Sequence, residues 1–125
     1  MKYLLDVNAL IALGYKQHAF HKRVAGWAVG KSLATCSIAE LGFIRILAQL
    51  PEADVSVATS REMLATMKRE RRITQIPDSQ SAVELPVWVQ RPGQITDGHL
   101  LVLARSNHAK LATCDEGIPG AFLIP

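Results

Sequence analysis

The sequence has 125 residues, of which 49% are hydrophobic and 20% charged, and its formal net charge is +3. This length permits one domain with one buried core, so we assign residues 1–125 to a single domain. The composition excludes a disordered chain, and no apolar run is long enough to cross a membrane. Residues 1–5 are too short for the apolar region of a secretory signal, so we expect a cytoplasmic protein.

The first third of the chain begins with a short apolar run, residues 2–6, which predicts a strand ending at Asp6. Apolar spacing predicts a helix over residues 7–14 and another over 18–30, each closed by a glycine. Residues 32–36 predict a second strand.

The middle of the chain is predicted to be mainly helical. The run from Ser37 to Glu40 has the capping-box pattern, which indicates the start of a helix that Pro51 then ends. The next helix is predicted to begin at Ser56 or Ser60 and to run towards Arg72.

The last third is predicted to contain three strands, at residues 73–76, 110–113 and 121–124. Pro86 argues against a regular helix over residues 83–89, whereas Thr96 is expected to cap a helix from Asp97 to about Ser106. Strands and helices alternate throughout. This order predicts an α/β fold in which helices flank a central parallel sheet of about five strands.

Two further sequence features have simple structural interpretations. Cys36 and Cys114 each follow a short apolar run, and we expect both to be buried free thiols. A basic run, defined here as Lys68, Arg69, Arg71 and Arg72, fits either a solvated helix end or a patch that contacts phosphate.

Four acidic residues are predicted to meet at one edge of the sheet. Asp6 and Asp115 follow strands, Glu40 lies in the first turn of a helix after a strand, and Asp97 opens a helix. Ligands of open α/β sheets bind beyond the carboxyl ends of the strands, where the strand order reverses. We therefore expect these four acids to form a catalytic site.

Each acid also has a structural explanation of its own. Asp6 would serve as a helix N-cap, and Glu40 as the reciprocal partner of the capping box. Asp97 would stabilise a helix N-terminus electrostatically, and Asp115 suits the turn before Gly117. These separate explanations leave open why all four fall at the same edge.

Clustered carboxylates repel one another, by about 4 kcal/mol for two unit charges at 4 Å and an effective dielectric constant of 20. A divalent cation offsets this repulsion, and oxygen ligands favour Mg²⁺ or Mn²⁺ over zinc. We expect Asp6, Asp97 and Asp115 to hold the ion, which would activate a water molecule for attack on a phosphodiester.

Three other residues are predicted to support the acids. Asn8 and Thr113 lie two residues from Asp6 and Asp115, so we expect them to orient those acids or a metal-bound water. Arg45 lies on an otherwise apolar helix and is predicted to pair with an acid or to bind substrate phosphate, unless it is only a surface side chain.

Four segments of the chain together resemble the PIN-domain family, and in particular the VapC ribonuclease toxins of bacterial toxin–antitoxin pairs. The segments are Leu4-Leu5-Asp6-Val7-Asn8-Ala9-Leu10, Glu40-Leu41-Gly42-Phe43-Ile44-Arg45, Thr96-Asp97 and Leu111-Ala112-Thr113-Cys114-Asp115. The resemblance implies a PIN-like parallel sheet and an endoribonuclease that uses Mg²⁺ or Mn²⁺. It also implies an RNA substrate, a homodimer and a cognate antitoxin that blocks the site.

Two other functions fit parts of the pattern. A catalytically inactive PIN-like module would bind RNA or protein, but it would be expected to lose at least one of the four acids. A phosphatase with Asp6 as its nucleophile would commonly carry a second acid where Asn8 stands. The metal-dependent ribonuclease is therefore the leading hypothesis.

Overall fold

The computed structural model describes all 125 residues and contains five strands, five α-helices and two short 3-10 turns. The strands are β1 (Lys2–Leu5), β2 (Ser32–Thr35), β3 (Thr74–Gln75), β4 (Ala109–Thr113) and β5 (Phe122–Leu123). The helices are α1 (Val7–Gly14), α2 (His21–Ala28), α3 (Ser37–Gln49), α4 (Val57–Glu70) and α5 (Ile95–Ser106). The 3-10 turns are Ala82–Glu84 and Pro92–Gln94.

The five strands form one parallel sheet in the order β3-β2-β1-β4-β5, which confirms the predicted α/β class. The chain proceeds outwards from β1 through β2 to β3, and then returns to the other side of β1 for β4 and β5. The strand order therefore reverses between β1 and β4. This is the place where an open α/β sheet forms a crevice at the carboxyl ends of its strands.

The sheet is covered on both faces. α1 packs against α2, α3 and α4, whereas α5 packs against β1 and β4. Right-handed crossovers place the first four helices on one face and α5 on the other. The central strands are accordingly apolar, and Leu4, Leu5, Leu111 and Ala112 are at most 1% exposed. None of the helices combines the length and apolarity that a membrane span requires.

The predicted capping box at Ser37 is wrong. Cys36 keeps an extended backbone and is the N-cap of α3, so Ser37 is the first helical residue and no side chain caps this end. The helix begins one residue early because β2 leads into it directly. Capping therefore does not explain Glu40.

Other boundaries differ where a turn replaces the expected regular element. α2 begins at His21 instead of residue 18, because a turn in which the His18 N–H donates to the Tyr15 carbonyl precedes it. α5 begins at Ile95 without a Thr96 cap, because the 3-10 turn before it runs straight into the helix.

Both cysteines are free, as predicted, but only one is buried. Cys36 is fully buried at the end of β2. Cys114 is half-buried, because it lies just past the end of β4, where the chain turns away from the core.

Candidate active site

Asp6 lies at the carboxyl end of β1 and is only 3% exposed. Its Oδ1 accepts a hydrogen bond of 2.8 Å from the Ala9 N–H, so it caps α1 as a good N-cap residue does. Its Oδ2 accepts a short hydrogen bond from the Thr113 hydroxyl. Burial raises the pKa of this carboxyl, the two hydrogen bonds from Thr113 and Ala9 lower it, and the charge of Asp115 raises it.

Thr113 joins the ends of the two central strands. While its hydroxyl donates to Asp6, the same oxygen accepts a hydrogen bond of 2.9 Å from the Asp115 N–H. Asp115 is exposed, and its Oδ1 accepts a hydrogen bond of 2.7 Å from the Gly117 N–H, which makes a turn after β4. One threonine thus sets the relative position of Asp6 and Asp115.

Asp97 completes a cluster of three aspartates. It lies in the first turn of α5 and is half-buried. Its pKa is raised to about 6, first by burial and then by the negative charges of Asp6 and Asp115. The charges of Asp6 and Asp115 thus both act on Asp97, and that of Asp115 also acts on Asp6. We call Asp6, Asp97 and Asp115 the aspartate cluster.

Glu40 lies at the same edge of the sheet but has a different partner. Its buried Oε2 lies 2.8 Å from the Lys68 ammonium nitrogen in an ion pair that lacks hydrogen-bond geometry, and its side chain is 17% exposed. The structure therefore pairs Glu40 with a cation at the edge of the site.

Neither Asn8 nor Arg45 forms a hydrogen bond or an ion pair with the acids. Asn8 is exposed, and its side chain forms no hydrogen bond with Asp6 or Asp115. Arg45 is exposed on α3, five residues past Glu40, and forms no ion pair with an acid. Its predicted contact with substrate phosphate stays a prediction.

Close packing between helices and neighbouring segments brings the acidic residues to the same edge. A Cβ on Gly42 would come within 2.8 Å of Val7 Cγ1, so α3 approaches the start of α1, next to Asp6, as only glycine allows. A Cβ on Gly98 would lie 2.4 Å from Val89 Cγ2, so the start of α5, which carries Asp97, packs closely against the segment that contains Val89. The sequence interpretation did not assign these roles, because a glycine inside a helix gives no signal of the partner it approaches.

A second polar pair lies near Glu40. His99 Nε2 is 2.7 Å from Asp78 Oδ1, and the charges of Asp78 and Glu40 both act on the Cys36 thiol, whose pKa burial raises. His99 is two residues past Asp97 in α5. The sequence did not reveal this pair, because its members belong to separate elements.

The aspartate cluster has the chemistry of a hard-cation site. Its three side chains offer only carboxylate oxygens, which suit Mg²⁺ or Mn²⁺. No three His, Cys, Asp or Glu side chains converge tightly enough to surround a metal ion by themselves. This spacing is compatible with an ion that keeps several waters and takes only one or two direct carboxylate ligands.

Sequence comparison identifies the family of the chain. The family model of the PIN domain matches residues 3–121. The chain is 36% identical over 123 residues to ribonuclease VapC38 of Mycobacterium tuberculosis, covering 92% of this chain and 86% of that protein. It is 33% identical over 133 residues to ribonuclease VapC29 of the same organism, covering 100% of this chain and 98% of the relative.

Solved structures share the fold at low sequence identity. The chain superimposes on VapC20 of Mycobacterium tuberculosis, a toxin that cleaves the sarcin-ricin loop, with a TM-score of 0.68, 11% identity and coverage of 93% and 92% of the two chains. It superimposes on a chain of the VapBC2 complex of Rickettsia felis bound to a promoter DNA fragment with a TM-score of 0.61, 16% identity and coverage of 98% and 97%. The chain therefore belongs to the PIN-domain family, within the VapC group of toxin–antitoxin systems.

Proposed function

We propose that the chain is an endoribonuclease dependent on Mg²⁺ or Mn²⁺ that acts as the toxin of a toxin–antitoxin pair. The observation that carries this proposal is the aspartate cluster, in which burial first and then the charges of Asp6 and Asp115 raise the pKa of Asp97 to about 6. Such repulsion between carboxylates is costly in a folded protein and is relieved by a bound divalent cation.

The side chains of the site have separable tasks in this proposal. Asp6, Asp97 and Asp115 would hold the ion, which supplies a polarised water of lowered pKa for attack on a phosphodiester. Asp6 cannot rotate freely, because Ala9 and Thr113 each donate a hydrogen bond to one of its two oxygens. The Gly117 N–H likewise fixes the Asp115 carboxylate. Two acids are thus oriented before substrate binds, which lowers the entropic cost of reaching the reactive geometry.

Partners are proposed from the relatives. The VapBC2 structure of Rickettsia felis contains a toxin and its antitoxin, and we propose a small cognate antitoxin protein for this chain. The relatives named as ribonucleases support RNA as the substrate. We also propose that the chain forms a homodimer, as its resemblance to the VapC group implies.

The test is cleavage of structured RNA by the purified chain with Mg²⁺, with Mn²⁺ or with EDTA. We expect cleavage only with a metal and its loss in Asp6→Asn and Asp97→Asn. Asp54→Asn is the matched control, because it removes the same charge from a left-handed position (φ 49°) that asparagine tolerates. Asp54 lies beyond Gln49, the last residue of α3, and the nine residue steps from Glu40 to Gln49 span about 14 Å along the helix.

Metal binding has an independent readout in thermal unfolding. A Mg²⁺ concentration of about 100 times its dissociation constant would stabilise the native state by about 2.7 kcal/mol, and Asp97→Asn would lose this gain. Cleavage that persists in EDTA or in both site variants would overturn the proposal. A folded chain with neither metal-dependent cleavage nor stabilisation would instead indicate a binding module.

A further inference from the structure

The ion pair between Lys68 and Glu40 belongs to a small network that joins three elements. The Lys68 ammonium group at the end of α4 lies 2.8 Å from Glu40 Oε2 in α3. It also donates a hydrogen bond of 2.8 Å to Gln75 Oε1 in β3. The Gln75 side-chain amide in turn donates a hydrogen bond of 3.5 Å to the hydroxyl of Ser37, at the start of α3. Lys68 therefore has two partners that hold its charged end in one place.

The backbone of Lys68 is fixed as well. Its carbonyl accepts a hydrogen bond of 2.9 Å from the Ile73 N–H, and the Arg72 N–H donates to the Arg69 carbonyl. Arg72 has a φ of 54°, so this is the Schellman arrangement that ends a helix with a left-handed residue. Ile73 is only 7% exposed, which anchors the turn in the core. The position of Lys68 is therefore set by the end of α4.

Lys68 differs from the other members of the basic run. Arg69, Arg71 and Arg72 are exposed and take part in no ion pair, whereas Lys68 is half-buried. The run is therefore not one uniform patch. Its three arginines remain available to solvent or to phosphate, and its lysine faces Glu40.

The order of the strands in the sheet shows on which side of the site Lys68 holds Glu40. β3, which carries Gln75, lies on one side of β2, and β1 and β4, which lead to Asp6 and Asp115, lie on the other. The ion pair with Lys68, which itself donates a hydrogen bond to Gln75, therefore holds Glu40 on the β3 side of the site.

We infer that Lys68 is a positioning residue that neutralises Glu40 and holds it beside the aspartate cluster, outside the set of residues that binds the metal. This inference rests on the proposed function. Glu40 would then serve as an oriented acceptor at the flank of the site, and only the three aspartates would contribute net charge to the ion. Loss of Lys68 would free a fourth carboxylate to join them.

The test begins with the affinity of the RNA-free full chain for Mn²⁺, measured by calorimetry. Lys68→Met should tighten Mn²⁺ binding about three- to tenfold, because it removes a cation and releases an anion near the ion. Lys68→Arg should keep the affinity of the wild type. Arg69→Met is the matched control, since it removes the same charge from the next position of the run, and it should change the affinity less than about twofold.

A double-mutant cycle identifies Glu40 as the group through which Lys68 acts. Glu40→Gln alone should leave Mn²⁺ affinity within about twofold, and in the Lys68→Met background it should abolish the tightening. In RNA cleavage, Lys68→Met should lower kcat about ten- to a hundredfold with little change in KM, because Glu40 loses its orientation. Arg69→Met should leave kcat unchanged, and Lys68→Arg should restore most of it.

Two results would overturn the inference. One is a Lys68→Met variant that matches Arg69→Met in Mn²⁺ affinity. The other is a Glu40→Gln variant that weakens Mn²⁺ binding as much as Asp97→Asn does. The calorimetry uses no RNA, so it tests the role of Lys68 even if the wild type cleaves no RNA. Absence of RNA cleavage would refute only the proposed function. The ion pair is partly exposed and contributes at most about 1 kcal/mol, so the variants should remain folded.

Discussion

Thr113 offers the sharpest test of how the site is held together. It is 1% exposed, its hydroxyl donates to the buried Asp6 carboxylate, and the same oxygen accepts from the Asp115 N–H. Thr113→Val keeps the shape of the side chain and removes both hydrogen bonds. A hydrogen bond to a charged group contributes about 1.5–3 kcal/mol and a neutral one about 1 kcal/mol, so we expect a loss of about 2–4 kcal/mol.

The loss should also depend on pH. Burial raises the pKa of Asp6 in the folded state above its unfolded value, and the Thr113 hydrogen bond opposes that increase. Without the Thr113 hydroxyl the pKa of Asp6 in the folded state rises further. The native state then binds more protons than the unfolded state over a wider pH range. Stability then falls as pH rises through that range. The destabilisation by Thr113→Val should therefore be larger at neutral pH than at a pH well below 3.8, the ordinary pKa of an aspartate, where Asp6 is protonated in both states.

The assay is urea unfolding in the presence of EDTA at both pH values, with Thr35→Val as the matched control. Thr35 ends the neighbouring strand β2, is fully buried, and has a hydroxyl without a hydrogen-bond partner. Its replacement removes no hydrogen bond and should be neutral or stabilising by about 1 kcal/mol. If Thr113→Val costs no more than Thr35→Val, or if its cost is the same at both pH values, the assigned role of Thr113 is wrong.

Three further predictions follow from single contacts or conformations, each measured as the free energy of unfolding in EDTA. Arg72→Gly should stabilise the chain by about 0.5–1 kcal/mol, because glycine adopts the left-handed φ of 54° without strain; a loss of stability would contradict this. Gly42→Ala should destabilise it by about 1–3 kcal/mol, because the new Cβ would lie 2.8 Å from Val7 Cγ1, and an unchanged stability would mean that the helices separate freely. Asp97 has a folded pKa raised from 3.8 to about 6, so wild-type stability should fall as pH rises through that window. Asp97→Asn should reduce this dependence of stability on pH and, allowing for solvent screening, increase the free energy of unfolding by about 1 kcal/mol near pH 7. An unaltered pH dependence would exclude Asp97 as its source.

Features that depend on local patterns could be predicted from the residues alone. The bounds of α1 agree with the prediction, because Asp6 before the helix and Gly14 at its end are both local signals. The alternation of strands and helices was enough to predict a parallel α/β sheet. It also placed Asp6 and Asp115 at strand ends, since the residue that follows a buried strand can be read without tertiary contacts.

The contacts between side chains depend on how the elements pack in three dimensions. The Thr113–Asp6 hydrogen bond and the Lys68–Glu40 ion pair each join elements that are distant in sequence, and no local period encodes such partners. The capping box at Ser37 was a valid local pattern, but the extended backbone of Cys36 at the end of β2 moved the helix start by one residue. The four acids predicted from the sequence therefore divide into three aspartates that repel one another and one glutamate that is paired with a cation. This division follows from the sheet order, because Lys68 lies on the β3 side and the strands β1 and β4 lead to Asp6 and Asp115.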